Sequence, residues 1–241
     1  MGAERLKPSA LFLQMGRGNW YNGVKGVRVL DKLDLMEEMR RTYGLDPGGH
    51  DWHHLERVRK LALYIAEEDQ MGDRDVLEWA AILHDVADEK LNSTPAEGTR
   101  KLEGWLRQLP VTTETLETIR EVIHAMGFKG GSTDDPVIPE AKVLRDADRL
   151  DAMGAIGISR VFAYGGWKGQ PIHLPDLPVR ERMTNDEYRK GPSTSINHFH
   201  EKLFKLKDLM LTPTGKRLAE ERHAVMEDFI RQFTIEWNGP Q

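Results

Sequence analysis

The chain of 241 residues contains no cysteine. Disulfide staples and thiolate ligands are therefore excluded, and any metal ion must be held by His, Asp, Glu or water. Long apolar runs are missing too. Nothing approaches the ~18 residues a membrane span needs, and the patch Ala10-Leu11-Phe12-Leu13 is too short for the core of a secretory signal. Cytoplasmic residence is the resulting expectation, and there the Asn92-Ser93-Thr94 sequon carries no glycan. Positive charge is in short supply: 34 Lys and Arg face 39 Asp and Glu, a net charge of −5. That balance argues against a binder of duplex nucleic acid, which needs a basic face. A small anionic substrate stays compatible, because a local Arg/Lys cluster with a metal holds phosphate inside an acidic protein. Several catalytic signatures are also absent. The sequence has no P-loop, no H-E-x-x-H and no G-x-S-x-G. It has no convincing alternating strand and no internal repeat.

What the sequence does have is helical periodicity. Residues 1–30 are aperiodic and Gly-rich, with Trp20 and Tyr21, and read as an N-terminal arm. From Asp31 to residue 241 the pattern predicts one all-α domain. Leu33, Met36 and Met39 mark a first helix that stops at Gly44. Asp51 suits an N-cap for a second, whose inward line is His54, Val58, Leu61 and Ile65. Val76, Ala80, Leu83 and Ala87 mark a third. Leu102, Trp105, Leu106 and Leu109 mark a fourth, and Leu116, Ile119, Ile123 and Met126 a fifth. Pro139 opens a sixth, carrying Val143, Ala147 and Leu150, which is expected to run on into "AIGISRVFAYGG". Residues 165–193 are irregular and rich in Pro. Their apolar side chains (Trp167, Ile172, Leu174, Leu177, Tyr188) suggest a folded-over loop bordering the active site. Two helices close the chain, one along Ile196, Phe199, Leu203, Leu206 and Met210, the other along Leu218, Val225, Phe229, Phe233 and Trp237.

Two His-Asp pairs stand out, His50-Asp51 and His84-Asp85. Asp51 follows Pro47-Gly48-Gly49, and capping explains it. His54 shares the apolar line of its helix and His53 points to solvent. His84 stands four residues after Ala80, so it shares an inward line, and Asp85 can border the same pocket. A carboxylate facing a core needs a partner, and a divalent cation is one. A histidine satisfied by hydrogen bonds beside an aspartate at a frayed helix end is the other reading. Asp146, Asp148 and Asp151 lie within one helix and repel unless cations share their surroundings. Arg149 supplies one such cation. The alternative is a solvated acidic face with Arg145 and Arg149.

The order His54, His84-Asp85, Asp148 resembles the HD-domain metal-dependent phosphohydrolases. Four stretches carry the resemblance to a short single-domain subfamily: "HDWHHLERV", "AAILHDVADEK", "DADRLDAMGAIGISR" and "TSINHFHEKLFKLKDLMLTPTGKRLA". It covers about residues 50 to 237 and implies an HD-type helical bundle. It also implies His54, His84, Asp85 and Asp148 as ligands of a divalent metal. Mn²⁺ is favoured by the mixed His and carboxylate set, with Mg²⁺, Co²⁺ or Fe²⁺ as alternatives. Asp88, three residues after Asp85, is implied as a proton-transfer group. Arg57, Lys90, Lys129 and Arg149 are candidate phosphate clamps, and His198 and Tyr164 candidate substrate contacts. The implied activity is hydrolysis of (deoxy)nucleoside triphosphates to monophosphate and pyrophosphate. Alternatives are another phosphomonoesterase or phosphodiesterase acting on a nucleotide, or a diiron oxygenase. For the last, only His124 stands between His84-Asp85 and Asp148. A phosphorylated small molecule is the expected partner. Neither membrane nor duplex nucleic acid is expected, and a homodimer is compatible with the sequence.

Overall fold

A computed structural model describes residues 29–44, 51–89, 91–126, 135–181 and 191–239. Nearly all of the N-terminal arm, together with Lys90, Lys129 and Tyr188, lies outside them. Nine α-helices are described: α1 (Lys32–Tyr43), α2 (Trp52–Glu68), α3 (Arg74–Leu83), α4 (Pro95–Leu106), α5 (Thr113–Met126), α6 (Pro139–Asp151), α7 (Gly154–Lys168), α8 (Ser195–Glu201) and α9 (Pro213–Asn238). Two 3₁₀ turns, Leu203–Lys205 and Lys207–Leu209, link α8 to α9. No β-strand occurs among the described residues, so the all-α class expected from the periodicity is observed.

Local chemistry fixes the helix starts. Asp31, Asp51, Asp73, Thr94, Thr194 and Thr212 each accept from a backbone N–H in the first turn of the helix that follows. Each satisfies a donor that the helix itself leaves unpaired. Pro95, Pro139 and Pro213 occupy first-turn positions where a missing N–H costs nothing. Helix α2 is the centre of the bundle, with α3 and α6 packed against it. Helix α5 closes against α3 and α6, and α9 lies across α6 and α7. The core runs through Leu55, Val58 and Ile65 of α2, Leu77 and Ala80 of α3, Ile119 of α5, and Leu144 and Ala147 of α6.

Several features differ from the expectation, among them α7, which runs on to Lys168 where the sequence predicts an irregular chain from residue 165, and α4, which ends at Leu106, before Leu109. The buried line of α1 is Leu35 and Met39, while Leu33 is 76% exposed. Helix α3 ends at Leu83, and residues 84–87 form tight turns, with Val86 N–H on Leu83 O and Asp88 N–H on Asp85 O. Ala87 therefore packs on the core from outside the helix. The sixth helix does not run on. It stops at Asp151, and α7 restarts at Gly154 with φ +65°, a conformation that L side chains rarely adopt. The helix expected over 196–210 is α8 followed by the two 3₁₀ turns. Its apolar residues keep a helix-like spacing and all five are buried or half-buried, so packing survives a change in winding.

Candidate metal centre

Three separated segments converge on one point. His54 comes from the first turn of α2, His84 and Asp85 from the turn after α3, and Asp148 from the last turn of α6. His54 Nε2 lies 3.3 Å from Asp85 Oδ2 and 3.5 Å from Asp148 Oδ1. His84 Nε2 lies 3.4 Å from Asp85 Oδ1 and 4.0 Å from Asp148 Oδ1. Both imidazoles are buried, whereas the Asp148 side chain is 42% exposed, so the cluster opens to solvent on the Asp148 side.

The far nitrogen of each ring decides what the near one can do. His84 Nδ1 lies 2.9 Å from Ala81 O. A carbonyl only accepts, so Nδ1 carries the proton and Nε2 turns a lone pair toward the carboxylates. That Nε2 is buried and makes no hydrogen bond. His54 Nδ1 lies 2.8 Å from Asp151 Oδ2, which orients its Nε2 the same way. Lone pairs and carboxylate oxygens at these separations repel unless a positive charge stands between them. Metal–ligand bonds of about 2.1 Å place neighbouring donors about 3.0–3.4 Å apart, so His54, His84 and Asp85 fit a divalent ion, with Asp148 at the margin, 3.5 and 4.0 Å from the two imidazoles. The same demand for charge shows in His54 itself. Burial disfavours its charged form, yet the hydrogen bonds with Asp151 and Asp85 push its pKa up to about 9.

A second layer of groups orients the first. Asp151, 1% exposed, accepts from His54, from Arg57 Nε (2.6 Å) and Nη2 (3.0 Å), and from Arg160 Nη1 (2.8 Å). Burial alone would raise its pKa, but the His54 and Arg57 bonds and the neighbouring Arg160 hold the carboxyl well below the usual range. Tyr43, at the end of α1, sits in the field of Asp85, and burial together with that carboxylate pushes its phenol up to about 12.

The three aspartates of α6 have separate surroundings. Asp148 faces the centre and Asp151 holds His54. Asp146 is fully buried and accepts from Leu211 N–H, Thr212 N–H (2.7 Å) and Thr212 Oγ1 (2.8 Å). It ties α6 to the start of α9. A Cβ on Gly215 would come within 2.4 Å of Asp146 Oδ2, so the approach is closed to any larger residue.

The other expected site residues fall in different places. Asp88 is half-buried and follows the ligand turn directly, its N–H on Asp85 O at 3.0 Å. Arg57 is engaged bidentately by Asp151. Arg149 donates to Leu209 O, and its burial lowers its pKa. His198 lies half-buried on α8. Lys90 and Lys129 lie outside the described residues. His124 is exposed and lies outside the group of His54, His84 and Asp85, whose ligand atoms fall within 4.8 Å of one another. The segment after α7 is tied to α8: Asn197 Nδ2 donates to Leu177 O (3.1 Å), and Arg180 pairs with Glu201.

Asp151, Arg160 and Tyr43 were missed as site residues. Arg160 had a signal, since it is the only charged residue between Gly154 and Gly166. Tyr43 continues the buried line Leu35, Met39 at a spacing of four.

The HD domain family model matches residues 51–153, which contain all four converging side chains. The protein YpgQ of Bacillus subtilis is 38% identical over 190 residues, covering 78% of this chain and 84% of YpgQ. A crystal structure of YpgQ in complex with ADP superposes with a TM-score of 0.64 at 32% identity, covering 84% of this chain and 96% of the other. An HD-superfamily hydrolase from Bacillus thuringiensis superposes with a TM-score of 0.68 at 41% identity, covering 87% of this chain and 97% of the other.

Proposed function

This chain belongs to the HD-domain family as an HD-superfamily hydrolase, and we propose that the bond it hydrolyses is a phosphoanhydride of a nucleoside or deoxynucleoside triphosphate, releasing monophosphate and pyrophosphate. The observation that carries this reading is the convergence of His54, His84, Asp85 and Asp148 on one solvent-accessible point. ADP bound to the related YpgQ supports a nucleotide over other phosphorylated compounds.

His54, His84, Asp85 and Asp148 would hold a divalent cation, and the two imidazoles favour Mn²⁺ over Mg²⁺. Such an ion supplies Lewis-acid polarisation of a phosphoryl oxygen and acidifies water. The chain's own residues do the rest. Asp151 and Ala81 O fix which nitrogen of each ring faces the site, so only the Nε2 proton of the charged His54 has to leave before a ligand bond forms. Asp88, one turn beyond Asp85, takes the proton from the attacking water. The open side at Asp148 admits the substrate.

The test is turnover of a nucleotide panel with Mn²⁺. Release of pyrophosphate from triphosphates, abolished in Asp85→Ala, is the expected result. Release of orthophosphate from monophosphates alone would replace this reading with that of a phosphomonoesterase. Loss of all phosphate release in a metal-loaded, folded protein would reject it.

A further inference from the structure

The segment that follows α7 arches over α8 and is tied down at both feet. Ser195 N–H donates to Pro171 O (3.1 Å) and Ile196 N–H to Ile172 O (3.0 Å), two donors that the first turn of α8 cannot pair within itself. At the other foot Asn197 Nδ2 donates to Leu177 O at 3.1 Å, and Arg180 closes on Glu201. Between the ties lies a cavity of about 410 Å³, floored by α8 and walled by the last turns of α9. Clefts of about 300–1,000 Å³ are the usual size for small-molecule sites.

One wall is aromatic. Phe233 and Trp237, one turn apart on α9, lie nearly parallel at 5.6 Å and 23°. His173 of the arch stands edge-on to both, 5.8 Å from Phe233 and 4.9 Å from Trp237. His173 Nδ1 is buried without a hydrogen bond, so ring contact holds this wall together. Trp237 is nevertheless 49% exposed. The floor offers an acceptor. Asn197 is 3% exposed, and its Nδ2 is committed to the carbonyls of Leu177 and Pro178. Those carbonyls fix the orientation of the amide, so Oδ1 is the arm left over, and it has no partner among the described residues. No carboxylate, ammonium or guanidinium occurs among the described residues that line the cavity.

We propose that this cavity binds a neutral, flat heteroaromatic molecule with an N–H donor, an unphosphorylated nucleobase or nucleoside. The ring would extend the Phe233–Trp237 stack, and its N–H would donate to Asn197 Oδ1. A phosphate finds no cation here, and a purely apolar molecule would seal Oδ1 away without a donor. The cavity is separate from the metal centre. Arg222 donates to Leu150 O beside Asp151, and Phe233 stands roughly 16 Å further along α9 at about 1.5 Å per residue. Binding there does not depend on the hydrolase reading.

Calorimetry on the full chain, without added metal, measures adenine, adenosine and ADP against the parent and three variants. Adenosine should bind the parent once per chain, with a Kd below about 1 mM. Trp237→Ala removes the stacking surface and should weaken binding by roughly tenfold or more. Val179→Trp, at an exposed position on the cavity rim, should fill the space and abolish binding. Asp85→Ala disables the metal centre and should leave adenosine affinity within about twofold, with ADP weaker than adenosine. No binding of adenine or adenosine at about 1 mM would overturn the proposal, as would binding that both cavity variants retain. Loss of binding in Asp85→Ala would place the ligand at the metal centre and overturn it too. ADP bound as tightly as adenosine in Asp85→Ala would overturn the neutral ligand class. A parent oligomer that dissociates in Trp237→Ala, with neither adenine nor adenosine bound, would make this face an interface between copies and reject the cavity as a ligand site.

Discussion

Asp151 stands behind His54, its Oδ2 2.8 Å from Nδ1, while both guanidinium contacts of Arg57 close on the same carboxylate. The imidazole is gripped at one nitrogen so that the other faces Asp85 and Asp148. Asp151→Asn keeps the shape and removes the charge. Mn²⁺ affinity should fall by about 10- to 100-fold, read by calorimetry, with helix content preserved. Unchanged affinity would show that the ring is held by packing alone.

Metal removal should act on stability as well as on turnover. The four converging side chains come from three segments, so only the folded bundle assembles them. An ion at about 100 times its Kd would stabilise the native state by roughly 2.7 kcal/mol. Chelation should lower the Tm of the parent protein and leave the Tm of Asp85→Ala unchanged. An equal Tm with and without chelator in the parent would count against a bound ion.

Asp88→Asn tests proton transfer. Turnover should drop by about 10²-fold or more with Mn²⁺ binding retained. Parent-like turnover would return Asp88 to the role of a residue that shapes the turn after Asp85.

Acid should loosen the segment that follows α7. Glu201 is buried, which raises its pKa, but the Arg180 and Ser193 bonds outweigh burial and hold the carboxyl below its ordinary 4.5. A depressed pKa contributes stability that is complete above the unfolded value and is lost as pH falls through the folded one. Hydrogen exchange of residues 171–181 should therefore quicken below about pH 4.5, where the clamp begins to protonate. Arg180→Met should give the fast exchange already at neutral pH. Exchange that ignores both changes would locate the anchor elsewhere, at Asn197.

Gly215→Ala should destabilise the protein by about 1–3 kcal/mol, because the added methyl overpacks against Asp146 Oδ2 and Thr212 Oγ1. Denaturant unfolding should show a lower midpoint at unchanged slope.

The helices were legible because their signals are local. Asp51 caps α2 three residues from its partner N–H, and His54 lies on the same short apolar line as Val58 and Ile65. The resemblance to HD phosphohydrolases singled out His54, His84, Asp85 and Asp148, and the structure brings these four together. The division of labour among Asp146, Asp148 and Asp151 was not legible. Their partners are remote in sequence: Thr212 lies 66 residues from Asp146, and Arg57 lies 94 from Asp151. For the same reason the sequence offers Arg57 as a candidate phosphate clamp and not as the partner of Asp151. The break between α6 and α7 was hidden because apolar residues continue across it, and only the φ of Gly154 betrays the stop.

The Asp146 junction bears on what counts as a foldable unit. The family match ends at residue 153, yet the donors that satisfy Asp146 are Leu211 and Thr212. A fragment cut at the match boundary would strip the Asp146 carboxylate of its hydrogen bonds from Leu211 and Thr212, two residues before Asp148. During synthesis the same holds: His54, His84, Asp85 and Asp148 have all been made by residue 148, but the helix that carries Asp148 lacks the donors for Asp146 until residue 212 has emerged from the ribosome. The centre is written early in the chain and completed late.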